Sequence, residues 1–172
     1  MDAAAAKQQL RAAALAARGA MSDADRMAAG IAVARHCLDQ WQGAGQVAAF
    51  VSFGTEPPTQ PLLDGLAASG AQIVVPIVTG DDLRWVSYEA TGPELDVATL
   101  ATVDVILVPA LAVDRHGNRL GRGRGYYDRA LAGAGAPAVA VVYDDELLDR
   151  VPVEAHDRRV QGVLRPAGYS PL

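Results

Sequence analysis

Four short aliphatic runs, at residues 47–51, 73–75, 103–108 and 139–142, constrain this chain more than anything else in it. Each is nearly continuous in Val, Ile and Ala rather than alternating with polar residues, the pattern of strands buried on both faces. Such strands need helices on either side of the sheet, and helical signals fall where they are required. Residues 3–41 read as two helices broken near Gly19. Ser22 caps the second, and Met27, Ile31, Ala34, Leu38 and Trp41 line up as its apolar face. A third helix has Thr59 as its cap, Pro61 in its first turn, Leu62, Leu63 and Leu66 inward and Gly70 as its stop. Trp85 to Tyr88 adds an edge strand and Gly162 to Leu164 a short last one, while Pro166, Gly168 and Pro171 suggest a loose tail over 165–172. The expectation is one α/β domain of 172 residues, a three-layer α/β/α sandwich with a mostly parallel central sheet and right-handed crossovers, with segment 3–41 packed on it.

Ligands of such sheets lie beyond the carboxyl ends of the strands. Two sequence features fall there. After the first aliphatic run come Ser52, Phe53 and Glu56, the last stiffened by Pro57 and Pro58. After the third run comes Arg119-Leu-Gly-Arg-Gly-Arg-Gly-Tyr-Tyr-Asp128. Gly121, Gly123 and Gly125 alternate with Arg122 and Arg124, so bare backbone can close on a ligand while guanidinium forks project from the same loop. A helix from Tyr126 to Leu131 would turn its free amides toward that loop. The pattern suits phosphate, and Asp128 in the first helical turn could hold a metal bridging phosphate oxygens. The competing reading is a solvated basic loop.

Composition narrows the ligand. A net charge of −5 argues against a broad nucleic-acid-binding surface, so the local cluster of arginines points to a small anion. No apolar run approaches the ~18 residues of a membrane span, and a cytoplasmic protein is expected. With Cys37 as the single cysteine, no intrachain disulfide is possible and no thiolate zinc site can form. No His pair has metal-ligand spacing, and His36, His116 and His156 read as structural or exposed. Nothing fixes the oligomeric state, a monomer being the simpler expectation.

The chain resembles the 5-formyltetrahydrofolate cyclo-ligase (5,10-methenyltetrahydrofolate synthetase) family. The likeness runs through Val108-Pro-Ala-Leu-Ala-Val-Asp114, His116-Gly-Asn-Arg-Leu120 and the glycine loop, and reaches Lys7 and Leu10-Arg11 near the start and Val151-Pro152 with Asp157 near the finish. The resemblance implies an ATP- and magnesium-dependent closure of a folate ring. It also implies roles: Lys7 and Arg11 on nucleotide phosphates together with Gly121, Gly123, Gly125, Tyr126 and Tyr127; Arg119, Arg122 and Arg124 in catalysis; Phe53, Glu56 and Tyr126 on the folate; Asp128 and Asp157 on the metal. Arg18, one heptad beyond Arg11, reads as part of a solvated helix stripe. Two departures stand out. Gln161 occupies a place where the family often has aspartate, which would remove an acid from the rim, and the segment between Tyr88 and Val103 is short, with Gly92-Pro93-Glu94 as the trace of a longer covering loop. They leave open a folate- or nucleotide-binding protein with reduced or lost turnover. A sugar-phosphate isomerase-like enzyme, using phosphate without ATP, is a third possibility.

Overall fold

In the computed structural model, which describes residues 2–89 and 100–172, the aliphatic runs become neighbouring strands. The elements in order are α1 (Ala3–Ala20), α2 (Asp23–Trp41), β1 (Gln46–Ala48), α3 (Gln60–Ala68), β2 (Gln72–Thr79), β3 (Asp82–Ser87), β4 (Val105–Pro109), β5 (Ala112–Asp114), β6 (Arg119–Leu120), α4 (Tyr126–Leu131), β7 (Ala138–Val141), β8 (Leu147–Leu148), β9 (Gly162–Arg165) and β10 (Gly168–Pro171). The main sheet has seven strands in the order β10-β9-β7-β4-β1-β2-β3. The five inner strands are parallel, in registers such as Val47 with Ile73 and Val105, and Ala140 with Val163. Both edge strands run antiparallel.

The period of two divides each aliphatic run between two cores. Val47, Ile73, Val105, Leu107, Val139 and Val141 face α2 and α3. Ala48, Val74, Ile106, Val108, Ala140 and Val142 face the other way, toward α4 and a small second sheet of order β6-β5-β8. A third cluster, Leu111, Ala112, Leu120 and Val151, receives Leu10 and Ala14 and so seats α1 on the small sheet. The three layers are therefore present, one cover being helical and the other a short helix with a β-ribbon.

Several local expectations change. The strands of the small sheet are two or three residues long, too short to carry a period, and sequence patterning misses them. The buried stripe of α2 is Ala29, Gly30, Val33, Ala34 and Cys37, whereas Met27 and Ile31 are exposed. Small residues bring the helix close to its neighbours, so the larger side chains at the adjacent stripe are left outside. The break between the first two helices falls at Met21, two residues beyond Gly19 and so where it is expected, and Ser22 caps α2 by accepting from the Asp25 amide (3.1 Å). Thr59 precedes α3 without capping it: its hydroxyl donates to the Phe50 carbonyl and accepts from the Ser52 amide, both at 2.8 Å. These bonds bend the chain away after Ala48, which is why β1 stops at three residues. The tail is not loose, since residues 168–171 pair along β9 as β10. Residues 90–99, including Gly92, Pro93 and Glu94, lie outside the described residues. No helix among the described residues is long and apolar enough to cross a membrane.

The tail is held by an edge-to-face contact between Tyr169 and Trp41, centroids 5.1 Å apart. Tyr169→Ala should cost about 1–2 kcal/mol, less than a fully buried aromatic because Tyr169 is half-buried. Urea unfolding followed by tryptophan fluorescence measures this, and an unchanged midpoint would make β10 dispensable.

Candidate active site

Strands β1 and β4 are neighbours, yet the chain leaves β1 toward β2 on one side and later returns to β4 on the other. At such a switch point the loops leaving the two strands diverge and open a crevice. A cleft of about 1160 Å³ lies there. Eight Lys or Arg side chains line it against four Asp or Glu, so it is positive in a chain whose net charge is negative. An anionic ligand is the complement. One wall is apolar, built by Pro76, Val78 and Leu83 of the β2–β3 hairpin with Val51 and Phe53. Phe53 is 77% exposed on the rim rather than part of the core.

The glycine loop forms the floor. Gly123 and Gly125 have φ of +96° and +69°, a conformation other residues adopt only with strain. Gly125 sits at the N-cap of α4 without a side chain to satisfy the first amides. With six residues α4 builds little macrodipole, so the positive potential comes chiefly from guanidinium groups. Their settings differ. Arg119 is buried, donates through Nη2 to Asp128 Oδ1 (3.0 Å), lies over the Tyr127 ring, and keeps an Nε–H with no partner. Arg122 donates to Glu56 Oε1 (3.3 Å) while remaining partly exposed. Arg124 makes no ion pair among the described residues. Arg11 donates to the Gly121 carbonyl (2.9 Å), tying α1 to the loop. Arg129, which sequence reasoning did not single out, braces the loop by bonding the Asp81 and Arg124 carbonyls and covering the Tyr126 ring.

Glu56 joins the two strand-end loops. It is buried, accepts from the Phe53 amide (2.8 Å) through one oxygen and pairs with Arg122 through the other. The Tyr127 hydroxyl beside it is pushed well above its ordinary pKa by burial and by the Glu56 charge, which together outweigh Arg119. Tyr127 therefore remains a neutral phenol across the physiological range.

Asp128 and Asp157 both line the cleft although 29 positions separate them in sequence, and the amide of Arg158, next to Asp157, donates to Asp128 Oδ1 (3.1 Å). Asp128 Oδ2 makes no hydrogen bond among the described residues. Asp157 is engaged from the other side by Lys7, whose Nζ lies 2.6 Å from Asp157 Oδ2 and 2.6 Å from Glu154 Oε2. Ligand atoms of Glu154, His156 and Asp157 fall within 4.8 Å of one another. Carboxylate oxygens are donors of the kind magnesium takes, and the residues fit such an ion, with the Lys7 ammonium now neutralising part of the set. Glu154 was not singled out in the sequence, although its spacing of three from Asp157 allows one turn to present both.

Arg18 is a correction. Instead of a solvated stripe it is 1% exposed, with Nε and Nη2 on the two Glu146 oxygens (2.6 and 2.8 Å) and Nη2 also on the Ala110 carbonyl. The amphipathic pattern of α1 could not reveal a partner 128 residues away. Gln161 also differs from expectation. It accepts from the Ala138 amide and donates to the Arg159 carbonyl, away from the cleft lining, so it takes no acid from the rim.

Burial alone would lower the Lys7 pKa, but the hydrogen bonds and charges of Asp157 and Glu154 prevail and hold it above its ordinary 10.5. Burial likewise opposes ionisation of Asp157, yet Lys7 and the Glu154 amide hold that carboxyl below its ordinary 3.8. Asp157 thus stabilises the fold above its unfolded pKa, and the contribution fades as pH falls through the folded value. Lys7 contributes below its unfolded pKa and is lost as pH rises through the folded one. The stability gap between wild type and Asp157→Asn should be constant across neutral pH and close below 3.8. Urea midpoints across pH read the gap; one that persists undiminished in strong acid removes the pair as a stabilising element.

Comparisons with known proteins identify the family and the fold. Residues 3–166 match the model of the family described as 5-formyltetrahydrofolate cyclo-ligase. The chain is 42% identical over 182 aligned residues to a 5-formyltetrahydrofolate cyclo-ligase of Mycolicibacterium smegmatis, covering 93% of each chain. It is 31% identical over 144 residues to that of Escherichia coli, covering 72% of this chain and 79% of the relative. Among solved structures, the 5,10-methenyltetrahydrofolate synthetase of Aquifex aeolicus has a TM-score of 0.81 at 24% identity, covering 96% of this chain and 92% of that one. The corresponding Mycoplasma pneumoniae protein has a TM-score of 0.80 at 19% identity, covering 93% and 98%. These two structures share the fold.

Proposed function

The chain belongs to the 5-formyltetrahydrofolate cyclo-ligase family, and from that premise we propose that it closes 5-formyltetrahydrofolate to 5,10-methenyltetrahydrofolate, converting ATP to ADP and phosphate with magnesium. The observation that carries the reading is the meeting, in the lining of one positive cleft with an apolar wall, of Glu56, the glycine loop, Asp128 and Asp157. A flat heteroaromatic ring and a polyphosphate would each find a complementary surface there.

The chemical need is activation of an amide-like oxygen. The formyl oxygen attacks the γ-phosphorus and ADP leaves; the neighbouring N–H then attacks the formyl carbon and gives up its proton, and the C–O bond breaks to release phosphate, which can carry that proton away. In this reading Arg122 and Arg124 present guanidinium groups to the transferring phosphoryl, where fixed charge counts most once water is excluded. Arg119 acts largely by orienting Asp128 through Nη2. Lys7 and Arg11 serve the phosphates from α1, with Gly121, Gly123, Gly125, Tyr126 and Tyr127 shaping the nucleotide side. Glu56 accepts from the amino-pyrimidine edge, and Phe53 and Tyr126 pack on the substrate. Asp128 and Asp157 would hold magnesium, which when bound would supply positive charge to offset that of the phosphates.

Purified protein given 5-formyltetrahydrofolate, magnesium and ATP should develop the methenyl chromophore, and leaving out ATP should abolish it. Tight binding of both ligands without product would instead support a binding protein, while turnover of a sugar phosphate without ATP would support the isomerase reading.

The two acids should not be equivalent. Asp128→Asn is expected to raise the magnesium concentration needed for half-maximal rate more than Asp157→Asn, because Lys7 already claims Asp157 while Asp128 Oδ2 makes no hydrogen bond among the described residues. Magnesium titrations of both variants decide the order, and the reverse order makes Asp157 the main ligand.

A further inference from the structure

The loop bearing Glu154, Asp157 and Arg158 has no regular secondary structure, yet it holds Asp157 in the cleft lining and bonds Asp128 through the Arg158 amide. What holds it lies outside the cleft. Asp114, at the end of β5, is 0% exposed and absent from the cleft lining. Its Oδ1 accepts from the amides of His116 (2.9 Å) and Asn118 (3.0 Å), and its Oδ2 from Asn118 Nδ2 (2.8 Å) and the Val151 amide (3.0 Å). The first three bonds shape the turn that leads into Arg119 and the glycine loop. The fourth reaches across to the start of the acidic loop. The far end of that loop is fastened to the same turn: the Val160 amide donates to the Gly117 carbonyl (2.9 Å), and Arg159 Nε donates to Asn118 Oδ1 (3.1 Å). The contact is close, since a Cβ on Gly117 would lie 2.2 Å from the Val160 carbonyl oxygen. Val151 and Val160 are both buried, and the acids stand between them.

We infer that the turn from Asp114 to Asn118 is the positioning device of the site: it clamps both ends of the acidic loop to the strand that delivers the glycine loop. Asp114 is a positioning residue, acting on phosphate and metal through Asp157 and Arg158 without touching either. The inference rests on the proposed use of magnesium and ATP in this cleft. An ionised carboxylate suits the task because its two oxygens accept from four N–H donors and add charge to each bond. An amide in its place keeps one acceptor and turns a donor toward Asn118 and Val151. Asn118 can rotate its own amide to answer that donor, but the Val151 amide is left facing another N–H.

The test uses Asp114→Asn in the full chain, with magnesium·ATP as the probe. Calorimetric titration without folate reads binding without turnover, and hydrogen exchange reads the amides of Val151 and Arg158. Loss of an orienting partner typically weakens such sites about 10- to 100-fold. Affinity for magnesium·ATP should fall in that range, with faster exchange at both amides. Val33→Ala, a truncation in the α2 core remote from the cleft, should lower Tm while leaving affinity and both amides unchanged. If Asp114→Asn does not fold, Asn118→Ala removes one Asp114 bond and the Arg159 bond and should shift both readouts in the same direction. Wild-type affinity and protection in whichever variant folds would overturn the clamp, as would a loss of affinity in Val33→Ala matching its loss of Tm. Failure of the wild type to bind magnesium·ATP would count against the proposed function alone, since the exchange at Val151 and Arg158 still judges the clamp.

Discussion

A parallel strand buried on both faces has no side chain to spare for chemistry, because each residue points into one of two cores. The central strands obey that constraint, Val105 to Val108 of β4 and Ala138 to Val141 of β7 alternating between opposite clusters, while the far half of β2 emerges into the cleft wall. Only the strand ends remain, and the reversal of winding between β1 and β4 decides which ends diverge enough to admit a ligand. The positions of Glu56, the glycine loop and the acidic loop all follow from that crevice. So does the shortness of β1, whose continuation is diverted by Thr59 and Ser52 into the wall of the cleft.

Electrostatic pairing then converts a crevice into a site. A net charge of −5 is reversed locally by eight basic side chains, several of which are immobilised. Arg18 is neutralised by Glu146 and Lys7 by two carboxylates, while Arg119 is spent on Asp128. Buried charges of this kind are costly unless hydrogen-bonded, and the pairs are densely bonded. Arg122 and Arg124 are left as the most accessible guanidinium groups on the loop. The fixed arginines define where the acids stand, and the accessible ones supply charge to a ligand.

Two hairpin-like devices support this arrangement from outside. The β2–β3 hairpin provides the apolar wall and, through Asp81, a brace for Arg129. The turn between β5 and β6 fastens the acidic loop through Asp114, Gly117 and Asn118. Both fix the distances between groups that line the cleft, and in catalytic sites positional errors are expensive in rate.

Much of this was legible in the sequence. The aliphatic runs specify inner strands because only doubly buried strands tolerate them, and the alternation of glycine and arginine from Arg119 to Asp128 marks a loop of bare backbone and projecting guanidinium groups, which the fold places in the cleft. Placement of both features at strand ends followed from the general rule for such sheets. Other features depend on partners far apart in the chain, which no local pattern encodes: Arg18 with Glu146, Lys7 with Glu154, Arg122 with Glu56, and Asp114 with Val151. The buried stripe of α2 and the pairing of β10 were likewise decided by what packs against them. Local composition determined which segments could be buried and which could meet a phosphate, because those are properties of single stretches of chain. Tertiary structure alone decided which charges are neutralised and which stay free, because that depends on distances between residues that only folding brings together.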